Sequence, residues 1–471
     1  MIYCNVSQSY QPPESFQWCC TISLRTMKLI IGIVFTSLAF STHAQEELCK
    51  IEKNLKICEN SAGVIAHVTV ENPSALNRGI LEMTFDGDTT IGSKAFSDPR
   101  VRGFLLEMPY TNQRNQSALP TLTLHPDTFV ESSNMYRIFI MHANVNVIGE
   151  SFSPMTQLTY LRFMHCGFTD VPTKMLESTE NLTELSFENN YIRVIRSQAF
   201  APVKLLRELH LEGNGIESLE LGCFDGLDHL KVLTLDQNHF SSTPGILKGL
   251  NSLVRLNIDD AFDENGFNID ILQNLPAISN IRMGFNNMTT LKPDMFSIFP
   301  QIRHLALFGN HITRIPKGVF DRARSLFVIH LARNDIGFIE PGAFSGLNVS
   351  LLNLLNNRVD KTIETDTFSG LSVDRLQLDS NNITELKAGA FNALSAQQII
   401  LSWNKLTQID VDDFLGLDTE ELDLSHNCIS SIAPNAFQNS KVKKLRLKGN
   451  PLDRVDKDKW GLPASAEISM L

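Results

Sequence analysis

Apolar and polar residues alternate in short stretches that recur along most of the chain. From Leu185 onward the repeated phrase is Leu-x-Leu-x-x-Asn-x-Leu, in which Ile, Met, Val or Phe also fill the apolar places. Alternation with a period of two predicts a strand with one buried and one solvent-facing side. The asparagines recur every 23 or 24 residues with one double step: Asn190, Asn214, Asn238, Asn286, Asn310, Asn334, Asn357, Asn381, Asn404, Asn427 and Asn450. One strand per repeat predicts a solenoid whose strands form a parallel sheet.

A second signature lies in the far half of the repeats, where a small or apolar residue precedes a phenylalanine. The pairs are Ala199-Phe200, Cys223-Phe224, Met295-Phe296, Val319-Phe320, Ala343-Phe344, Thr367-Phe368, Ala390-Phe391 and Ala436-Phe437. Because these pairs keep the register of the asparagines, we expect the phenylalanines to stack as a buried spine. Each ladder asparagine is expected to satisfy backbone groups of its own coil and of the next coil.

Weaker units extend the pattern toward the N-terminus and fill the double step. They are Met83-x-Phe85, a unit through Leu106 and Met108, Ile138-x-Ile140, Leu161-x-Phe163 and Leu256-x-Ile258. With them, about sixteen units occupy residues 81–452. The ends of such an array need covers. We expect a capping strand in which Val64, Ala66, Val68 and Val70 alternate with Ile65, His67 and Thr69, and Trp460 to close the other end.

These two signatures resemble the extracellular, 24-residue class of leucine-rich repeats, as found in Toll-receptor ectodomains, slit, chaoptin and small leucine-rich proteoglycans. The resemblance covers about four-fifths of the chain. It implies an α/β-type solenoid, a horseshoe with a parallel β-sheet on the concave face and short helical or irregular segments on the convex face. Cys166 stands at an asparagine place, where cysteine is a familiar substitute in this family, and Cys223 replaces a small residue; both are predicted to be buried thiols.

The N-terminal stretch predicts secretion. Arg25 and Lys28 flank an apolar run, and Thr42-His43-Ala44 offers small residues for cleavage before Gln45. The run is shorter than the roughly 20 residues of a stable membrane span. We therefore expect a soluble extracellular product without stable membrane insertion. The predicted domains are a signal peptide at 27–44, an N-terminal cap at 45–80, repeats at 81–452 and a C-terminal cap or tail at 453–471, with 1–26 an upstream extension or a mis-assigned start.

Cysteines and sequons agree with an oxidising compartment. Cys49 and Cys58 are close in sequence and are expected to form a local disulfide. The odd number of cysteines after position 44 means that at least one is unpaired or pairs between chains. Five Asn-x-Ser/Thr sequons are predicted glycosylation sites: Asn115, Asn181, Asn287, Asn348 and Asn382.

The solvent-facing strand positions are free to bind a partner, because they have no role in the core. Along the predicted concave face they are first acidic, then aromatic and histidine-rich, and basic in the last coil at Lys444, Arg446 and Lys448. The candidate ligand-binding residues are Glu208, Glu212, Asp236, Asp259, Phe285, His304, Phe308, His330 and Trp403. Like charges in adjacent coils repel, so the acidic half favours a cationic partner. The alternative is that these residues are an ordinary solvated surface.

The sequence carries no recognisable catalytic motif, so the chain is predicted not to be an enzyme and to need no cofactor or metal. The acidic stretch from Asp259 to Leu275 fails the helix-loop-helix calcium pattern, because Ala261 and Leu272 stand at the first and last ligand places. A formal net charge of -11 argues against nucleic-acid binding. Two hypotheses remain: recognition of an extracellular protein or glycan, in innate immunity, matrix or cell adhesion; or an accessory subunit of a secreted enzyme, as in a shrimp luciferase. A homodimer is left open.

Overall fold

The computed structural model describes residues 47–470 except 53–54, 73, 75, 109–118, 148–151, 153–154, 265 and 360. The predicted signal peptide and the sequon at Asn115 lie outside the described residues. The described chain is a solenoid with one long sheet, called here the long sheet. Its strands are Leu76–Asn77, Ile80–Thr84, Gly103–Glu107, Arg137–Met141, Tyr160–Met164, Glu184–Ser186, Glu208–His210, Val232–Thr234, Arg255–Asn257, Asn280–Arg282, His304–Ala306, Val328–His330, Asn348–Asn353, Ser372–Gln377, Ser395–Ile400, Asp418–Asp423, Lys441–Arg446 and Glu467–Ser469.

The register of the long sheet follows the predicted pattern from Leu185 onward. Leu185 lies opposite Leu209, and Leu209 opposite Leu233, with every pairing after the first hairpin parallel. The first two units were placed wrongly by two residues: Leu81 pairs with Phe104 and Met83 with Leu106. Three apolar residues alternate in each of those units, so the period-two pattern alone does not decide which two enter the core.

The asparagine ladder ties each coil to the one before it. Asn310 Oδ1 accepts from the backbone N–H of Asn286 at 2.9 Å and of Met288 at 3.1 Å, and its Nδ2 donates to the carbonyls of Met283 and Leu307, both at 3.0 Å. The prediction that the amide reaches the next coil was therefore wrong, because the partners belong to the preceding coil and its own. Cys166 fills the same place, and its Sγ donates to the Ile140 carbonyl at 3.3 Å.

The phenylalanine spine is present and includes one coil, between Phe391 and Phe437, that the prediction left out. Phe368 is fully buried, with ring centroids 5.8 Å from Phe344 and 5.7 Å from Phe391, and both pairs are nearly parallel. Phe414 continues the stack toward Phe437, although an aspartate, Asp413, precedes it. Cys166 and Cys223 are buried, as predicted, and burial raises the pKa of each thiol to about 12. Trp460 is also buried and closes the C-terminal end.

A second sheet covers the N-terminal coils. Its strands are Leu48–Glu52, Leu55–Glu59, Ile65–Val70, Thr89–Ile91, Thr121–Leu124 and Asn144–Val147, of which the first two pairings are antiparallel. The predicted disulfide between Cys49 and Cys58 is confirmed. In the capping strand the buried residues are Ile65, Val68 and Val70, so the predicted alternation starting at Val64 was wrong at its beginning. A bulge against Glu59 shifts the register there.

Turns and short strands complete the coils. Two-residue strands pair in parallel: Val194–Ile195 with Ser218–Leu219, Arg314–Ile315 with Phe338–Ile339, Thr362–Ile363 with Glu385–Leu386, and Gln408–Ile409 with Ser431–Ile432. The helical elements that the structure describes in full are Thr173–Leu176 and a 3₁₀ turn at Ile269–Leu272. Among those residues, none forms a helix with the length and apolar character of a membrane span.

The double step of the ladder is an irregular coil. Phe262 stands where an asparagine is expected, is buried, and packs against Phe240 with centroids 5.0 Å apart. Asn286 bridges the gap, because its Oδ1 accepts from the backbone N–H of Ala261 at 2.9 Å. Two acidic residues of this coil have different partners. Asp259 accepts a hydrogen bond from Arg282, and Asp270 accepts one from the side-chain amide of Gln273.

Candidate binding face

Three of the nine candidate residues lie within strands of the long sheet and the other six follow such strands, on the side called here the sheet face; among them Asp259 is buried. Glu208 and His304 precede the central buried residue of their strands, and His330 follows it. The place directly after the second buried residue of the phrase holds Glu212, Asp236, Asp259 and Phe308. The next place holds Phe285 and Trp403. Matching places in successive coils form columns about 4.8 Å apart. The columns decide which side chains meet.

One column is acidic in four successive coils and is called here the acidic column: Glu188, Glu212, Asp236 and Asp259. Glu188 pairs with Arg162 at one end. Asp259 pairs with Arg282 at the other end, where Oδ2 accepts from Nη2 at 2.6 Å and from Nε at 2.9 Å. The sequence-based assignment missed both arginines. Arg162 lies one coil before Glu188, and Arg282 lies one coil after Asp259. Both stand in the column two residues earlier in the repeated phrase, so the spacing of the repeats is enough to locate them.

The two middle carboxylates are held by neutral donors. Glu212 accepts from the Thr234 hydroxyl, and Asp236 Oδ1 accepts from the backbone N–H of Asp259 at 2.7 Å. Burial raises the pKa of Glu212, with Glu188 adding to the effect. Burial likewise raises the pKa of Asp236 to about 7, and the charge of Asp259 adds to it. The middle of the column therefore combines acidic side chains with a deficit of cations.

A second acidic group flanks the column. His210 Nε2 lies 3.6 Å from Glu208 and 4.0 Å from Glu184, and its Nδ1 lies 3.2 Å from the Thr234 hydroxyl. Burial raises the pKa of Glu184, with the charge of Glu208 next in size. On the sheet face, the described residues include two sets of side chains, Glu184/Glu208/His210 and Glu188/His210/Glu212, that each bring potential metal-ligand atoms within 4.8 Å of one another.

Aromatic rings occupy the next coils of the sheet face. This aromatic patch consists of Phe285, His304, Phe308, Phe327 and His330. The Phe308 ring centroid lies 5.1 Å from that of Phe285 and 5.3 Å from that of His330, both edge to face. His304 lies 6.1 Å from Phe327, a half-exposed residue that the sequence-based assignment missed. Burial lowers the pKa of His304 and of His330, which favours neutral rings.

Glycines make room for two of these rings. A Cβ on Gly284 would lie 2.8 Å from the Phe308 carbonyl oxygen and 3.0 Å from its ring, and a Cβ on Gly309 would overlap the Phe285 ring. Each phenylalanine therefore depends on a glycine in the neighbouring coil. Phe285 nevertheless stays 46% exposed, which leaves an uncovered apolar surface on the sheet face.

Trp403 is separate from the aromatic patch, because its coil lies three strands further along. Its ring stacks on His426 with centroids 4.3 Å apart and remains 60% exposed. Two basic residues of the last coil share one carboxylate: Arg446 Nε lies 2.9 Å and Lys444 Nζ 3.4 Å from Glu421. The structure thus brings Glu212, Asp236, Asp259, Phe285, Phe308 and His330 together, with Glu208 and His304 beside them.

The sequons within the described residues differ in accessibility. Asn287, Asn348 and Asn382 are exposed, whereas Asn181 is half-buried and its Nδ2 donates to the Thr156 carbonyl at 3.0 Å. Asn287 and Asn382 directly follow ladder asparagines. Their glycosylation stays a prediction, as does that of Asn181 and Asn348.

Comparison with known proteins connects this geometry to a family. The family model described as leucine rich repeat matches residues 156–216, 204–260, 309–359 and 395–452. These four stretches of the chain are leucine-rich repeats. It is 26% identical to mouse podocan-like protein 1 over 302 residues, which are 62% of this chain and 52% of the relative. It is 29% identical to zebrafish (Danio rerio) keratocan over 219 residues, which are 44% of this chain and 60% of the relative.

The chain therefore spans little more than half the length of these relatives. Solved structures share its fold. A leucine-rich-repeat protein of Leptospira interrogans has a TM-score of 0.56 at 18% identity, covering 79% of this chain and 90% of that one. TLR13 in complex with ssRNA13 has a TM-score of 0.57 at 18% identity, covering 85% and 65%. Glycosylated Drosophila Toll in complex with Spatzle has a TM-score of 0.55 at 16% identity, covering 87% and 69%.

Proposed function

We propose that this protein is a secreted, non-catalytic recognition protein that binds another extracellular protein through the acidic column and the aromatic patch. One observation carries the proposal: Arg282 joins the two surfaces. It pairs with Asp259, and its guanidinium carbon lies 5.7 Å from the Phe308 ring centroid. The acidic column, whose two middle carboxylates have no ion-pair partner among the described residues, is therefore adjacent to the aromatic patch.

The geometry defines the chemistry of the partner. A Lys or Arg side chain placed over Glu212 and Asp236 would supply the missing charge, and removal of both charges from water strengthens such a pair. Asp236 and Phe308 lie three coils apart, or about 14 Å. The partner segment should therefore carry a basic residue and, about 14 Å away, an apolar or aromatic side chain that covers Phe285 and Phe308. Toll bound to Spatzle shows that this fold is compatible with a partner in complex.

The test is affinity capture from the native secretions on immobilised protein. We expect a partner that is retained by the wild type, lost on Phe308→Ala and Glu212→Gln, and eluted by salt because part of the attraction is between charges. Phe338→Ala and Glu177→Gln are matched controls, since both residues are exposed and lie off the sheet face. Retention that survives both sheet-face substitutions would refute the proposal.

The identity of the captured protein separates two roles. A non-enzyme, such as a receptor, matrix protein or microbial surface protein, supports a function in adhesion or innate immunity. A single secreted enzyme, recovered in equal amount and dependent on Phe308, would instead support the accessory-subunit hypothesis.

A further inference from the structure

A groove lies off the sheet face, beside the asparagine ladder, and the proposed protein-binding role does not use it. Its volume is about 510 Å³, and its lining includes Tyr191, Arg193, Gly215, Glu217 and His239; it is called here the edge groove. This volume falls within the range of ligand sites, about 300–1,000 Å³. The groove spans four successive coils, from Thr169 to His239.

The walls and the floor of the edge groove are formed by the residues that directly follow three successive ladder asparagines. Tyr191 follows Asn190, Gly215 follows Asn214, and His239 follows Asn238. The backbone N–H of Tyr191 donates to the Phe168 carbonyl, and that of His239 to the Ile216 carbonyl, both at 2.8 Å, so the main chain of each wall is fixed. A Cβ on Gly215 would have no atom within 4 Å, which shows that the space above this glycine is empty.

The two wall rings are available for contact. Tyr191 is 63% exposed, His239 is exposed, and in the described residues neither ring has a stacking, ionic or hydrogen-bonding partner. Two coil spacings, about 10 Å, separate the backbones of Tyr191 and His239. A ring placed midway would lie about 5 Å from each wall, within the 4.5–7 Å range of ring–ring contacts.

The polar edge of the groove is an ion pair. Arg193 Nη1 lies 3.1 Å from Glu217 Oε1, and both side chains are mostly exposed. The pair offers donors and an acceptor at the rim, while its opposite charges cancel. A fitting ligand therefore has two apolar ring faces, a rim of hydrogen-bonding groups and no net charge.

We propose that the edge groove binds one pyranose ring of a neutral saccharide. The C–H faces of the sugar lie against Tyr191 and His239 above Gly215, and its hydroxyls donate to Glu217 and accept from Arg193. An aromatic amino acid has the ring faces but lacks hydroxyls around its rim. A sulfated or carboxylated sugar would add a charge that the neutral Arg193–Glu217 pair does not balance.

Saturation-transfer NMR tests the proposal with the methyl glycosides of mannose, galactose, glucose and N-acetylglucosamine, and with N-acetyltyrosinamide as an aromatic probe. We expect transfer to the ring protons of at least one glycoside with the wild-type protein. Gly215→Asn should abolish it, because asparagine tolerates the positive φ of 69° and its side chain fills the floor. Tyr191→Phe should retain it, since stacking uses the ring and not the hydroxyl.

Gly226→Asn is the matched control: this glycine has a φ of 86°, open space at the Cβ position and lies outside the groove. It should leave saturation transfer and the melting temperature unchanged. The proposal is overturned by the absence of transfer to all four glycosides, by transfer that persists in Gly215→Asn, or by transfer to N-acetyltyrosinamide alone, which would identify a peptide side chain as the ligand.

Discussion

Asp236 accepts a hydrogen bond from the backbone N–H of Asp259 at 2.7 Å, so two acidic residues of adjacent coils are held side by side. Their surroundings differ. Asp259 has Arg282 as its counterion, whereas Asp236 is buried beside like charges, which raises its pKa from 3.8 to about 7. Without a cation from a partner, the protonated form of Asp236 is therefore favoured more than that of an ordinary aspartate.

The first prediction concerns stability against pH. Because the pKa of Asp236 is higher in the folded state, folded protein binds more protons than unfolded protein between about pH 4 and pH 7, and the free energy of unfolding falls as pH rises through that window. Asp236→Asn removes this loss. The variant should melt above the wild type at pH 8 and level with it at pH 4, by scanning calorimetry. Asp228→Asn, at an exposed surface position, should show no such pH-dependent difference.

The second prediction concerns the asparagine ladder. Asn310→Ala leaves the N–H groups of Asn286 and Met288 unpaired in a buried site. The variant should lose about 1–3 kcal/mol in the free energy of unfolding, measured by urea titration. Asn251→Ala, at an exposed turn, should stay within about 0.5 kcal/mol of the wild type. Equal stability of the two variants would contradict the ladder's role.

A third prediction concerns the phenylalanine spine. Phe368→Ala removes a fully buried ring from between Phe344 and Phe391, and we expect a loss of about 3–5 kcal/mol. Phe327→Ala removes a ring that is 52% exposed and should change the free energy of unfolding by about 0.5 kcal/mol or less. Comparable losses at both positions would show that the spine is not the main source of stability.

The fourth prediction concerns the three unpaired cysteines of the described chain. Cys428 is exposed, whereas burial keeps Cys166 and Cys223 protonated and out of reach. Maleimide treatment of native protein, followed by peptide mapping, should label Cys428 only, and urea should expose the other two. Labelling of Cys166 or Cys223 at a similar rate in the native state would show that their coils open.

The sequence predicted the repeat, the strand register from Leu185 onward and the residues that line the sheet face, because period-two alternation and the spacing of asparagines depend only on local geometry. It misplaced Leu81 and Phe104 because three alternating apolar residues allow two registers, which only pairing with Ile138 resolves. Phe414 was left out of the predicted spine because an ionisable residue, Asp413, precedes it where the other coils have a small or apolar residue; Asp413 is buried. Burial there raises its pKa to about 7.

The candidate site was predicted in its composition but not in its pairings. Glu212 and Phe308 are evident as solvent-facing places of the phrase. Arg282 neutralises Asp259 because it occupies the neighbouring column one coil later. Choosing candidate residues one position at a time does not reveal such a pair. Likewise, the contrast between Trp403, covered on one face by His426, and Phe308, at the centre of several rings, follows from contacts between coils.

Photo-crosslinking tests most directly whether the sheet face is the recognition surface. p-Benzoylphenylalanine at position 308 keeps a ring in the aromatic patch, and the same residue at position 338 places it off the sheet face. After irradiation in the native secretions, position 308 should give one dominant crosslinked protein whose attached peptide contains Lys or Arg, and position 338 should not. A crosslink to that protein from position 338 alone, or none from position 308, would contradict the account.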